Sequence, residues 1–65
     1  MKKIIKVTIN KSIEYAFTNQ ITGKLELTAY IEEANKYNDN SDDLYNHIKI
    51  VKDATCIDKI EVIDK

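Results

Sequence analysis

Arginine, proline and tryptophan are absent from this chain of 65 residues, and cysteine and glycine each occur once. Without arginine, the chain lacks the bidentate donor that most often recognises guanine and phosphate. Its one cysteine, Cys56, allows no internal disulfide, which favours a reducing cytosol over a secreted scaffold. No apolar run approaches the ~20 residues of a membrane-spanning helix, and Lys6 interrupts the N-terminal run too early for an export signal. We therefore expect a cytoplasmic protein.

The chain offers little catalytic chemistry. A protein of this size is expected to form a single domain, residues 1–65, with one small core and no room for a deep, water-excluding pocket. Cys56 and His47 are a nucleophile and a base, but no third group is placed to orient them. The Asp-rich stretch 38–43 has Leu44 and Ile50 where a calcium-binding loop needs Gly and Glu. We expect no enzyme, no cofactor and no metal site.

Alternating apolar and polar residues predict two N-terminal strands, at 3–9 and 13–18. A hairpin with an odd-length loop, most simply Asn10-Lys11-Ser12, would bring all the large apolar side chains to one face. A two-residue loop would instead place Glu14 opposite Val7, in the core. The inner face predicted in this way consists of Ile5, Val7, Ile9, Ile13, Tyr15 and Phe17.

Helical periodicity is clearest at residues 27–37, where Leu27, Tyr30, Ile31, Ala34 and Tyr37 fall within about 120° of arc. This pattern predicts an amphipathic helix at 28–37, with Thr28 as its N-cap, that packs on the hairpin.

A second helix, at about 42–52, is predicted from Ser41 as N-cap, with Leu44, Ile48 and Val51 inward. The β-branched residues at 47–51 leave a strand there as the alternative. A last strand is predicted at 59–63, with Ile60 and Val62 inward. The predicted fold is α+β, in the order ββααβ or ββαββ, with one face of a small sheet packed on the amphipathic helix. Nothing in the sequence decides where the last strand pairs.

Charge is unevenly distributed along the chain. Residues 26–43 carry six acidic residues against Lys36 alone. An acidic cluster on the polar side of the predicted helix and in the loop after it is the predicted partner-binding site: Glu32, Glu33, Asp39, Asp42 and Asp43. A lysine stripe on the first strand and its turn is the candidate nucleic-acid contact: Lys2, Lys3, Lys6 and Lys11. Each of these two charged sets is also typical of an ordinary solvated surface that binds nothing.

The sequence favours a small protein–protein interaction module that uses the acidic helix face. Abundant Lys, Ile and Asn are typical of AT-rich genomes, which favours a phage or mobile-element accessory protein that modulates a host protein. Weak nucleic-acid binding through the lysine stripe is one alternative. A structural homo-oligomer, such as a dimer, is another, formed by an outer sheet face that would include Ile4, Ala16 and Ile63.

Overall fold

The computed structural model describes residues 2–54 and 57–64. It has an antiparallel sheet of five strands packed with one α-helix, which confirms the predicted α+β class. The elements in chain order are β1 (Lys2–Ile9), β2 (Ser12–Thr18), β3 (Leu25–Thr28), a 3₁₀ turn (Ile31–Glu33), β4 (Tyr37–Asn38), α1 (Asp42–Ala54) and β5 (Lys59–Asp64). The helix that packs on the sheet is therefore the second predicted one, and the predicted orders ββααβ and ββαββ are both wrong.

Strand β1 is the centre of the sheet. β5 pairs with it from Lys3 to Thr8. β2 pairs with β1 from Lys6 to Ile9, and β4 pairs with it at Lys2 and Lys3. Because a strand has two edges and β5 occupies one of them, β2 and β4 share the other. β3 pairs with the far side of β2, so β3 and β5 are the edges of the four-strand-wide part of the sheet, and the short β4 also has one side without a described strand partner.

The hairpin between β1 and β2 has a two-residue turn, so the predicted odd-length loop is wrong. Asn10 and Lys11 both have positive φ, 49° and 70°, as a type I′ turn requires. Val7 consequently lies opposite Glu14. Glu14 is only half-buried, because its position is close to the hairpin tip, and the core instead receives the small side chain of Ala16.

In this register, the β2 residues that were predicted to face the core belong to the opposite face of the sheet, and those predicted to face outward belong to the core face. Ala16 lies with Ile5 and Val7 in the core cluster, whereas Tyr15 and Phe17 belong to the opposite face. Ile4 also belongs to that opposite face, and it is fully buried opposite Ile63. The prediction that Ile13, Tyr15 and Phe17 line the main core is therefore wrong, as is that of an outward Ala16.

Residues 28–37 do not form the predicted amphipathic helix. Leu25 and Leu27 alternate with Glu26 and Thr28 in β3. The chain then forms the 3₁₀ turn, which contacts β2, and continues into β4, which pairs with β1. Thr28 is the last residue of β3 and not an N-cap. Its hydroxyl accepts a hydrogen bond from the Tyr30 amide and donates one to Glu33.

The helix α1 confirms the other helical prediction and excludes a strand at 47–51. The Ser41 hydroxyl accepts a hydrogen bond from the Leu44 amide at 3.2 Å, which is N-terminal capping. Leu44 and Val51 are buried against the sheet, with Ile48 half-buried beside them. Among the described residues, no helix combines the length and the apolar character needed to cross a membrane.

Candidate functional site

The β5 edge of the sheet is open in the described part of the chain. β5 pairs with β1 along one side, and no other described strand pairs with its second side. The residue before β5 is held to β1 and the hairpin turn, because the Asp58 amide donates to the Thr8 carbonyl at 2.9 Å and the Asp58 carboxylate accepts from the Asn10 amide at 2.8 Å. An edge of this kind presents backbone N–H and C=O groups to another strand.

A groove runs beside this edge on the helix side of the sheet. It has a volume of about 590 Å³ and lies between α1 and β5. Val62 is 41% exposed there, although it lies on the same face of the sheet as the buried Ile5. We call this feature the β5 groove, and its lining residues are Ile48, Lys52, Ile57, Asp58, Lys59, Ile60 and Val62.

The groove follows from the dimensions of the fold. An α-helix is ~10 Å wide, whereas strands are spaced ~4.8 Å apart, so one helix covers about two strands. The sheet is four strands wide at β3-β2-β1-β5, and α1 packs on its centre. Ile60 and Val62 were predicted to face inward and do so, but the sequence does not reveal that the helix stops short of them.

A chain of polar side chains fills the gap where β2 separates from β1. The Asn35 amide donates to the Ala16 carbonyl at 2.9 Å, and the Asn35 Oδ1 accepts from the Thr18 amide at 3.0 Å. The Asn35 Nδ2 donates to the Thr18 hydroxyl at 2.7 Å and to the Tyr37 hydroxyl at 3.2 Å. Asn35 thus bonds to β2 much as a strand residue would.

This polar chain ends at the helix. The Tyr37 hydroxyl lies 2.6 Å from His47 Nδ1, and the two rings meet edge to face. Which of the two groups donates in this contact depends on the tautomer of His47. Burial raises the pKa of Tyr37, the Asn35 hydrogen bond opposes this shift, and the negative charge of Asp43 adds to it. Since these hydrogen bonds join β2, β4 and α1 within the fold, we assign this chain a structural role.

The acidic cluster does not lie on one helix. Glu32 and Glu33 belong to the 3₁₀ turn, and Asp42 and Asp43 begin α1. Asp39 precedes the helix, close enough to Lys3 to help raise the pKa of that lysine, although the main cause is the Lys3–Asp64 hydrogen bond. All five carboxylates are exposed, so their binding of a partner stays a prediction, without the helix face on which it was based.

Three lysines of the lysine stripe have partners within the fold. Lys2 donates to the Asn38 side chain at 2.6 Å, and Lys3 forms an ion pair with Asp64. Lys6 lies 3.9 Å from Glu61, and Lys11 lies in the hairpin turn. Lys3 also belongs to the helix side of the sheet, whereas Lys2 and Lys6 belong to the other side. The four side chains therefore do not form one surface.

The cysteine–histidine pair and metal-ligating side chains are the remaining groups considered in the sequence. Cys56 lies outside the described residues, so its relation to His47 is not part of the structure. Within residues 2–54 and 57–64, no three His, Cys, Asp or Glu side chains come together as metal ligands.

Comparison with protein-family models, with curated proteins and with solved structures finds no match.

Proposed function

We propose that this chain is a small, non-enzymatic protein–protein interaction module that holds an extended segment of a protein against the β5 edge. The observation that supports this proposal is the open β5 edge beside a groove whose lining combines four aliphatic side chains with Lys52, Asp58 and Lys59. Strand addition uses backbone hydrogen bonds for affinity and pockets for alternate side chains for specificity. The β5 edge and groove supply both components in one place.

Val62 and its neighbours carry the apolar surface that a docked strand would cover. A docked strand would remove the exposed surface of Val62 and of half-buried Ile60 from water and bring its own side chains against Ile48. Removing apolar surface from water yields ~25 cal/mol per Å², and this gain adds to the new backbone hydrogen bonds. A reducing cellular compartment, expected from the single cysteine, and a phage or mobile-element origin remain parts of this proposal.

Affinity capture from a lysate of the source cells tests the proposal. Val62→Lys should abolish capture, because it places a charge on the floor of the groove. Ile13→Lys is the matched control, since Ile13 is a strand residue with the same 41% exposure, away from the groove. Both variants should keep the circular dichroism spectrum of the wild type. Capture that Val62→Lys leaves unchanged would refute the β5 groove as the binding site.

The same experiment separates the β5 groove from the acidic cluster. A variant with Glu32, Glu33 and Asp39 changed to Lys alters exposed side chains outside the residues that line the groove. If this variant alone loses capture, the acidic cluster is the contact surface and the β5 groove is not. If only Val62→Lys loses capture, the acidic cluster is a solvated surface.

Nucleic-acid binding is supported less well. Lys2, Lys3 and Lys6 are engaged by Asn38, Asp64 and Glu61, which reduces the positive charge available to phosphates.

A further inference from the structure

We infer that the segment docked on the β5 edge is β5 of a second copy of this chain, so that two sheets join into one across a twofold axis. This inference rests on the proposed function, because it names the occupant of the same edge. An isologous contact of this kind needs a surface complementary to itself. The charge sequence of β5 provides this complementarity.

Geometry limits the registers in which β5 can pair with its own copy. Residues directly opposite each other in an antiparallel pair point to the same face of the sheet. Residues 58, 60 and 62 belong to the helix side of β5, and residues 59, 61 and 63 belong to the other side. Only registers that pair even with even positions, centred on residue 60, 61 or 62, therefore keep both helices on one side.

Electrostatics selects among these registers. Centring the pair on Glu61 places two carboxylates directly opposite each other, which is unfavourable. Centring it on Val62 places Glu61 opposite Ile63 and Ile60 opposite Asp64 of the second copy, so no pair of opposite charge forms among residues 59–64. Centring it on Ile60 places Lys59 opposite Glu61 of the second copy, and Glu61 opposite Lys59, so two pairs of opposite charge form.

The register centred on Ile60 also buries the groove. Ile60 meets its own copy at the twofold axis. Val62 lies opposite Asp58 of the second copy, whose carboxylate is bonded to the Asn10 amide, and is a diagonal neighbour of Ile60 of the second copy. The two grooves come together on the helix side, where their apolar floors cover each other. On the opposite side, the Lys59 and Glu61 pairs extend the charges that already lie 3.9 Å apart within one copy. The open edge and the exposed Val62 are thus both accounted for.

Charge reversal tests the register directly. In the single variant Lys59→Glu, the glutamate at position 59 lies opposite Glu61 of the second copy, and this repulsive pair occurs on both sides of the axis. In the single variant Glu61→Lys, two lysines are opposed in the same way. Each variant should dimerise at least roughly tenfold more weakly than the wild type, because both cross-strand pairs become repulsive. A mixture of the two variants should form a heterodimer, since every pair is then of opposite charge, and the double variant Lys59→Glu/Glu61→Lys should dimerise like the wild type.

Sedimentation equilibrium of the purified chain, over a wide range of concentrations, provides the measurement. Glu26→Lys, an exposed charge reversal on the other edge strand β3, is the control and should dimerise like the wild type. A wild type that stays monomeric at the highest concentration overturns the inference. So does a dimer that is indifferent to the single reversals, or variants that fail to associate when mixed.

A second measurement needs no substitution. Isotope-filtered NMR of mixed labelled and unlabelled wild-type chains should show contacts between the two Ile60 side chains. Contacts elsewhere overturn the register, even if a dimer forms. A monomeric wild type whose lysate capture is abolished by Val62→Lys would refute self-pairing and leave the proposed function intact. Capture unaffected by Val62→Lys would refute the proposed function itself.

Discussion

Asn35 shows how one side chain shapes the connection between β3 and β4. Its backbone amide and its Oδ1 bond to Ala16 and Thr18 of β2, at the place where β2 has left β1. Its Nδ2 links β2 to Tyr37. In the sequence, Asn35 is one of six asparagines and reads as a polar position on a helix. Two of its partners, Ala16 and Thr18, lie far from it in the sequence, so no local pattern reveals its role.

Tyr37 allows a test of the same polar chain through pH. Burial raises the pKa of its hydroxyl above the ordinary value of about 10. Above pH 10, the unfolded chain therefore releases this proton while the folded chain keeps it, so the free energy of unfolding falls as pH rises. Below pH 10, both states keep the proton and the contribution is constant. We expect the stability difference between the wild type and Tyr37→Phe to shrink between pH 8 and pH 11.

Urea denaturation at several pH values measures this difference. Lys3 also titrates in this range with a raised pKa, but it is present in both proteins and cancels in the comparison. Tyr45→Phe serves as control because the Tyr45 side chain is exposed and its hydroxyl contacts only Asn40 among the described residues. A difference that stays constant with pH would contradict the assignment.

At the scale of elements, residues 27–37 show why a strong helical pattern failed. Six of its eleven residues are good helix formers, but an isolated helix of this length is marginal in water, so helix propensity alone does not secure it. Leu25 and Leu27 alternate with polar residues and find a partner in β2, which secures them as a strand. The alternation Leu25-Glu26-Leu27-Thr28 is the signal that predicts β3. By contrast, α1 is predicted correctly because Ser41 and the acidic first turn supply local start signals.

The two-residue hairpin turn yields a stability prediction. Lys11 has a φ of 70°, a conformation that glycine adopts more readily than residues with a side chain. Lys11→Gly should therefore raise the free energy of unfolding by about 0.5–1 kcal/mol, a gain reduced by the greater freedom of glycine in the unfolded chain. Lys11→Ala removes the same charge but keeps Cβ, and it should give no such gain. Thermal denaturation of both variants decides this, and equal effects would argue against the type I′ turn.

At the scale of the whole molecule, the sheet buries residues on both faces. One face packs on α1, and the other contains Ile4, which is fully buried but does not belong to the core cluster. Sequence patterning assumed one covered face and therefore placed Ile4 outside and Ile13 inside. The observed burial is the reverse, since Ile13 is 41% exposed.

A pair of substitutions tests this reversal. Ile4→Ala should cost ~2–5 kcal/mol of stability, because it leaves a cavity at a fully buried site. Ile13→Ala should cost less than about 1 kcal/mol, because its side chain is already substantially in contact with water. The two substitutions are chemically identical and both lie in strands, so urea denaturation compares burial directly. A larger loss at Ile13 would restore the arrangement expected from the sequence.

Local patterning was sufficient to predict β1, β2, the helix α1 with its Ser41 cap, and β5. Each of these depends on neighbours within a few residues. Tertiary structure alone decided the pairing of β5 with β1, the exchanged faces of β2 and the conformation of residues 27–37, because these depend on contacts between residues far apart in the chain. The tertiary structure also decided that α1 leaves Val62 exposed and Ile60 half-buried beside the β5 edge, because the area of sheet that one helix covers depends on the width and the position of the helix. That uncovered edge underlies both proposals.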